Sequence, residues 1–172
     1  ELDPTHPMPY WGLAHAMGPN PNSRYARMPD DPKGEGAKAI AAAVARIARA
    51  TPKEAELITA LEKLYDQAQR PSAQDRDTAY LAAMRDLNQQ YPTDPDIAAL
   101  YAGAYMSIQR WDYWDSEGNP KSETAEVAAA LEGVIANGIQ HPGVFHLHIH
   151  RSEASRAPER ALVSANALEA TM

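Results

Sequence analysis

Alanine-rich segments most constrain what this chain can fold into. Two of them, AKAIAAAVARIARA at 37–50 and TAEVAAALEGVIA at 124–136, are dominated by alanine. Alanine is the strongest helix former, and its small side chain lets helices approach one another closely. The β-branched and aromatic residues that favour strands are scattered, and no window alternates apolar with polar residues. The sequence therefore predicts an all-α fold.

Capping and breaking residues place the helix boundaries. Thr51 is a predicted N-cap, because Pro52 follows at the first helical position and an acid stands in the first turn. Ser72 is a second predicted N-cap. Gly18-Pro19 is a stop signal. Segment 19–36, with four prolines, is predicted to be an extended loop. The eight predicted helices lie at about 9–18, 35–50, 53–68, 73–91, 96–109, 124–136, 143–155 and 158–170.

Pairs of helices that follow a proline recur three times, after Pro4, Pro92 and Pro142. The first has the sequence pattern of a tetratricopeptide (TPR) repeat boundary, with an aromatic residue, Tyr10, six positions after the proline. The intervals between the three prolines are irregular. The pattern predicts one domain over residues 1–172, built as an irregular TPR-like stack of antiparallel helical hairpins, an α–α superhelix. A plain helical bundle is the alternative.

Four segments of the chain carry a resemblance to a known family. They are YWGxAxxxGPN (10–20), YPxDPDIAxLYA (91–102), WxYWxxxG (111–118) and HPGxxHxxIHxxExSxxPERA (141–161). With these in order, the chain resembles a family of bacterial TPR-type proteins. The resemblance implies a TPR-repeat protein without an established reaction, exported in some cases. Because family members are longer, and the chain starts at Glu1 and ends at Met172, a fragment of a longer protein is expected.

Charge and composition exclude several classes of function. The net charge is −7 and the pI is near 5.3, which argues against a general binder of nucleic acid or anionic membranes. No apolar run approaches the ~20 residues that span a bilayer, so a soluble protein is expected, cytoplasmic or exported to the periplasm. The absence of cysteine excludes disulfides and thiolate ligands. A truncated stack would leave apolar ends, which predicts a homo-oligomer.

The segment HPGVFHLHIHRSEAS at 141–155 holds four of the six histidines. On a helix, His146, His150 and Glu153 fall within about 60° of one another, whereas His148 faces the opposite way, to solvent or another helix. Two imidazoles at i and i+4 can reach one divalent metal ion, and zinc, copper, nickel or iron accept such ligands. The candidate metal ligands are His146, His150, Glu153, His15 and His141. The alternative is a structural hydrogen-bonded cluster.

Aromatic and amide side chains suggest a binding surface. The segment RWDYWDSEG (110–118) could form a platform over a peptide groove, or its two tryptophans could cap the end of a helix pair. GPNPN (18–22) could offer amides to a pocket wall, or form a turn. The candidate ligand-binding residues are Trp11, Asn20, Tyr101, Tyr105, Trp111 and Trp114.

Two hypotheses of function follow from these features. The preferred one is a TPR-like binding or scaffold module for a peptide, protein or small ligand. The alternative is a metal-binding protein or metalloenzyme centred on the histidine and glutamate cluster, with Zn, Cu or Fe as the metal. The sequence does not decide whether the protein is an enzyme.

Overall fold

The computed structural model of the chain describes residues 3–170. Over this range the backbone is helical and forms no strand, apart from an isolated antiparallel bridge between Trp114 and Pro120. The all-α prediction is therefore confirmed. The expectations about Glu1 and Met172 as cut ends concern residues outside the described range.

Nine α-helices form within residues 3–170. They are α1 (Met8–Met17), α2 (Pro21–Tyr25), α3 (Glu35–Val44), α4 (Pro52–Glu62), α5 (Ala73–Gln90), α6 (Pro95–Gln109), α7 (Thr124–Ala136), α8 (Pro142–Ser152) and α9 (Leu162–Glu169). Two 3-10 turns, Ile47–Arg49 and Pro158–Ala161, follow α3 and precede α9. Each of the eight predicted helices has a counterpart, with shorter ends where 3-10 turns or loops take over. None of the helices in this range combines the length and the apolar composition needed to cross a lipid bilayer.

The prediction of an extended loop over 19–36 is wrong at α2. Asn20 caps this helix: its Oδ1 accepts a hydrogen bond from the Ser23 N–H at 3.0 Å, and the Ser23 Oγ accepts one from the Asn20 N–H at 2.9 Å. Pro21 occupies the first helical position, where its missing N–H costs nothing. The capping residues were present in the sequence, but the surrounding prolines outweighed them in the prediction.

The two predicted N-caps form as expected. The Thr51 N–H donates to the Glu54 carboxylate at 2.8 Å, and the Glu54 N–H donates back to the Thr51 Oγ1. Ser72 Oγ accepts from the Asp75 N–H at 3.0 Å at the start of α5. These bonds satisfy donors that the first helical turn leaves without partners.

The chain divides into two compact units, one up to residue 83 and one from residue 84 onward. In the first unit, α1 packs against α3 and α4, and α3 packs against α4. In the second unit, α6 packs against α7 and α8, α7 packs against α8, and α8 packs against α9. In each unit a helix therefore contacts the next long helix and the one after it.

A buried ion-pair network holds the segment around α2 to the start of α5 in the first unit. Arg24 is only 7% exposed, and its Nε and Nη2 donate to the two carboxylate oxygens of Asp77 at 2.7 and 2.6 Å. Arg24 also pairs with Asp30, which receives a further hydrogen bond from Arg76 at 3.0 Å. Because every charge in this network has an opposite partner, burial of the two arginines is tolerated.

Candidate functional site

The site begins at the end of α6, where the chain reverses. Arg110 and Trp111 both adopt left-handed backbone conformations, with φ of 46° and 73°, and the Asp112 N–H donates to the Gln109 carbonyl at 2.9 Å. A bulky residue in this region carries strain of about 1–3 kcal/mol. The turn brings the Trp111 ring to the surface, where 38% of the residue is exposed.

Buried hydroxyls anchor the segment that carries Trp111. Thr124, at the start of α7, donates from its Oγ1 to the Tyr113 carbonyl at 3.0 Å, and the Tyr105 hydroxyl lies 2.6 Å from the same Oγ1. Tyr113 is 2% exposed, and its ring centroid lies 6.0 Å from that of Tyr105 and 6.2 Å from that of Trp111. Burial raises the pKa of Tyr113 to about 12. The Trp111 ring therefore contacts a buried tyrosine whose backbone is held by a hydrogen bond.

Helix α8 brings two histidines to the same place. The rings of His150 and Trp111 meet edge to face, with centroids 4.8 Å apart and planes at 76°. The rings of His146 and His150 meet in the same way, with centroids 4.6 Å apart and planes at 82°. His150 Nδ1 also lies 3.2 Å from a carboxylate oxygen of Glu153. We call Trp111, His146, His150 and Glu153 the Trp–His patch.

The Trp–His patch is open to solvent. The side chains of His150 and Glu153 are 34% and 49% exposed, and His146 is exposed as well. Partial burial and the neighbouring His150 lower the pKa of His146. Among the described residues, none forms a hydrogen bond to the His146 side chain. Its ring nitrogens are therefore free to bind a ligand.

His141, the other histidine of this segment proposed as a ligand, has a structural role at the start of α8. Its Nδ1 accepts a hydrogen bond from the Val144 N–H at 3.1 Å, so its Nε2 carries the proton and donates to Asp96 at 3.0 Å. Both ring nitrogens are thus occupied. Over residues 3–170, no group of three or more histidine, aspartate or glutamate side chains is placed to hold a metal ion.

His148 makes the inter-helix contact that was one of its two predicted roles. It is 2% exposed, its Nδ1 lies 2.8 Å from Ser164 Oγ in α9, and its Nε2 lies 3.7 Å from Glu132 in α7. Arg151 donates to the same Glu132 oxygen at 2.5 Å. Sequence reasoning missed Ser164 and Glu132, because each lies on a different helix from the histidine it faces.

Trp114 is part of the structural frame around the Trp–His patch. Its indole Nε1–H donates to the Arg151 carbonyl at 2.9 Å, and the Arg151 guanidinium lies 5.8 Å from its ring centroid. This contact attaches the 110–123 connection to the end of α8. Of the two predicted roles for the tryptophans, Trp114 takes the one at a helix end, and Trp111 takes the exposed position.

Tyr101 and Tyr105, proposed as groove residues, lie in the core of the second unit. They are 0% and 1% exposed, so neither ring presents a surface to a ligand. The Tyr101 hydroxyl donates to Glu123 at 3.4 Å. Tyr105 influences the Trp–His patch indirectly, through Thr124 and Tyr113.

The remaining candidates, Trp11, His15 and Asn20, belong to the first unit. Trp11 donates from its indole Nε1–H to the Leu57 carbonyl at 3.1 Å, which joins α1 to α4, and the exposed ring of His15 stacks on it with centroids 5.3 Å apart. Asn20 lies on the wall of a cavity of about 520 Å³ together with Asn22. The GPNPN segment therefore forms both the capped turn and a pocket wall.

Comparisons of the chain with protein-family models, curated proteins and solved structures found no significant match. The resemblance to TPR-type proteins therefore stays a prediction.

Proposed function

We propose that the chain is a TPR-like helical-hairpin module that binds an extended peptide segment of a protein partner at the Trp–His patch. The observation that carries this proposal is the exposed Trp111 ring, held in a strained turn against His150. Strained residues persist where the surrounding structure fixes them, and they concentrate at binding and catalytic sites.

The packing order of the helices supports the TPR-like part of the proposal. In a TPR stack the first helix of a repeat contacts its own partner helix and the first helix of the next repeat. In the second unit α6 contacts α7 and α8, and in the first unit α1 contacts α3 and α4. Each unit then corresponds to one hairpin followed by the start of another.

The chemistry of the patch suits a peptide with an apolar anchor. Tryptophan is enriched among residues that dominate binding energy, because its large flat ring buries much apolar area with few rotatable bonds. The contacts of Trp111 with Tyr113 and His150 fix the ring before binding, which lowers the entropy cost of ordering it. Beside the ring, His146 and Glu153 offer hydrogen-bonding groups to the peptide backbone. An aromatic or aliphatic side chain would pack on Trp111.

The test is a selection of random displayed peptides on the immobilised chain, with counter-selection on Trp111→Ala. Selected peptides should carry an apolar anchor, and Trp111→Ala should weaken their binding at least tenfold, which corresponds to about 1.4 kcal/mol. Leu162→Ala is the matched control, because Leu162 is a large apolar residue of the same unit and is 59% exposed. It should change affinity less than twofold.

Two outcomes would refute the proposed binding surface. One is a set of selected peptides that bind Trp111→Ala as tightly as the unmodified chain. The other is an equal loss of affinity in Leu162→Ala, which would indicate non-specific adhesion to exposed apolar residues.

A further inference from the structure

The two solvent-accessible imidazoles of α8 have a second capability besides contact with a peptide. We propose that His146 and His150 together chelate one divalent transition-metal ion, of which Zn²⁺ is the test case. A tetrahedral zinc ion about 2.0–2.1 Å from each nitrogen places two imidazole centroids roughly 5 Å apart. The observed centroid separation is 4.6 Å. The two rings therefore already lie at nearly the spacing of a bound pair.

Glu153 prepares His150 for this role. Its carboxylate lies 3.2 Å from Nδ1 of His150, so the neutral ring carries its proton on Nδ1 and leaves the lone pair of Nε2 available. A carboxylate that holds the second nitrogen of a ligating histidine is the usual arrangement around zinc.

His146 supplies the movable ligand. Its ring is exposed and, within the described part of the chain, lacks a hydrogen bond, so it can rotate about its side-chain torsions until one nitrogen faces His150. The second imidazole binds intramolecularly, at an effective concentration in the millimolar range or above, and so strengthens binding over a single imidazole. With two protein ligands, water completes the coordination of the ion.

The experiment is calorimetric titration of the untagged chain with ZnCl₂. One ion per chain is expected, and His146→Ala and His150→Ala should each weaken binding at least tenfold, because either change leaves a single imidazole. His15→Ala is the matched control: His15 is also exposed and also contacts a tryptophan ring, yet it lies in the other unit. It should leave the affinity within twofold of the unmodified chain.

A measurement on the unmodified chain guards against misfolded variants. In imidazole ¹H–¹⁵N spectra, Zn²⁺ should shift Nε2 of His150 and one nitrogen of His146, while Nδ1 of His150 stays protonated. Unchanged His146 and His150 signals, or equal weakening by His15→Ala, would overturn the proposal. Trp111 is not a proposed zinc ligand, so Trp111→Ala is expected to retain the zinc affinity within threefold even though it loses peptide binding.

Discussion

Gly36 lies against the hydroxyl end of the Tyr65 side chain: a Cβ at residue 36 would stand closest to the Tyr65 hydroxyl and 2.8 Å from Cε1 of the ring. The Tyr65 hydroxyl donates to the Ala14 carbonyl near the end of α1, so the ring cannot move away without losing this bond. Gly36→Ala is expected to lower the free energy of unfolding by about 1–3 kcal/mol, the usual cost of overpacking. Urea denaturation followed by circular dichroism measures the change.

Gly12→Ala is the control for that experiment. Gly12 lies within α1, and apart from its chain neighbours and the backbone of its own helix no described atom would stand within 4 Å of an added Cβ. Alanine should therefore raise stability by about 0.5–1 kcal/mol through its higher helix propensity. If both variants are more stable than the unmodified chain, Tyr65 leaves room for a side chain at residue 36, which would contradict the prediction.

The buried ion pairs around Arg24 give a second prediction. Arg24→Met keeps much of the apolar stem but leaves Asp77, 9% exposed, without its cation. Removal of one partner of a buried pair costs about 3–5 kcal/mol, because the remaining charge stays desolvated. The pair of Arg70 with Asp66, whose side chains are 33% and 20% exposed, is the matched case, and Arg70→Met should cost about 0.5 kcal/mol or less. Denaturant titrations measure the two losses of unfolding free energy. Equal losses in Arg24→Met and Arg70→Met would contradict the conclusion that burial makes the Arg24 pair the more costly one to break.

Unfolding at alkaline pH should report on Tyr113, the buried tyrosine that contacts Trp111 of the Trp–His patch. Tyr113 has a pKa of about 12 in the folded chain, against about 10 in an unfolded one. Its buried neutral hydroxyl therefore stabilises the fold below pH 10, and this contribution is lost as pH rises from about 10 to 12. Phenylalanine at residue 113 cannot ionise in either state. The free energy of unfolding of Tyr113→Phe should therefore fall less steeply than that of the unmodified chain, and the two slopes should differ by up to about 1.4 kcal/mol per pH unit.

The control for the alkaline experiment is Tyr25→Phe. Tyr25 is 66% exposed and belongs to the first unit, so this variant measures what the loss of an exposed tyrosine hydroxyl does to the slope between pH 10 and 12. Thermal melts at half-unit pH intervals measure both slopes. A Tyr113→Phe slope equal to that of the unmodified chain would show that this hydroxyl does not titrate on unfolding.

The helices were predictable from the sequence because their signals are local. Thr51 with Glu54 and Ser72 with Asp75 satisfy the first turns of α4 and α5 through bonds that span three residues. Helix α2 had the same kind of signal in Asn20 and Ser23. It was missed because neighbouring prolines indicated a loop, although proline at the first helical position is compatible with a helix.

The site was less predictable because its contacts are not local. Trp111 and His150 were each singled out, but in separate hypotheses, and their contact depends on the packing of α6 against α8. Nothing in the sequence distinguishes Tyr105, which is buried, from Trp111, which is exposed. Both are aromatic residues near the end of the same helix, and the left-handed turn at Arg110 that divides them has no glycine to indicate it.

The most direct test of the account uses the three indole N–H groups of the chain as separate reporters in ¹H–¹⁵N spectra. The indoles of Trp11 and Trp114 are hydrogen-bonded to the carbonyls of Leu57 and Arg151, whereas Trp111 lies in the exposed patch. Saturation with a selected peptide should shift the Trp111 indole signal and leave those of Trp11 and Trp114 nearly unchanged. A bound peptide that leaves the Trp111 signal in place would contradict the proposal that this patch is the binding surface.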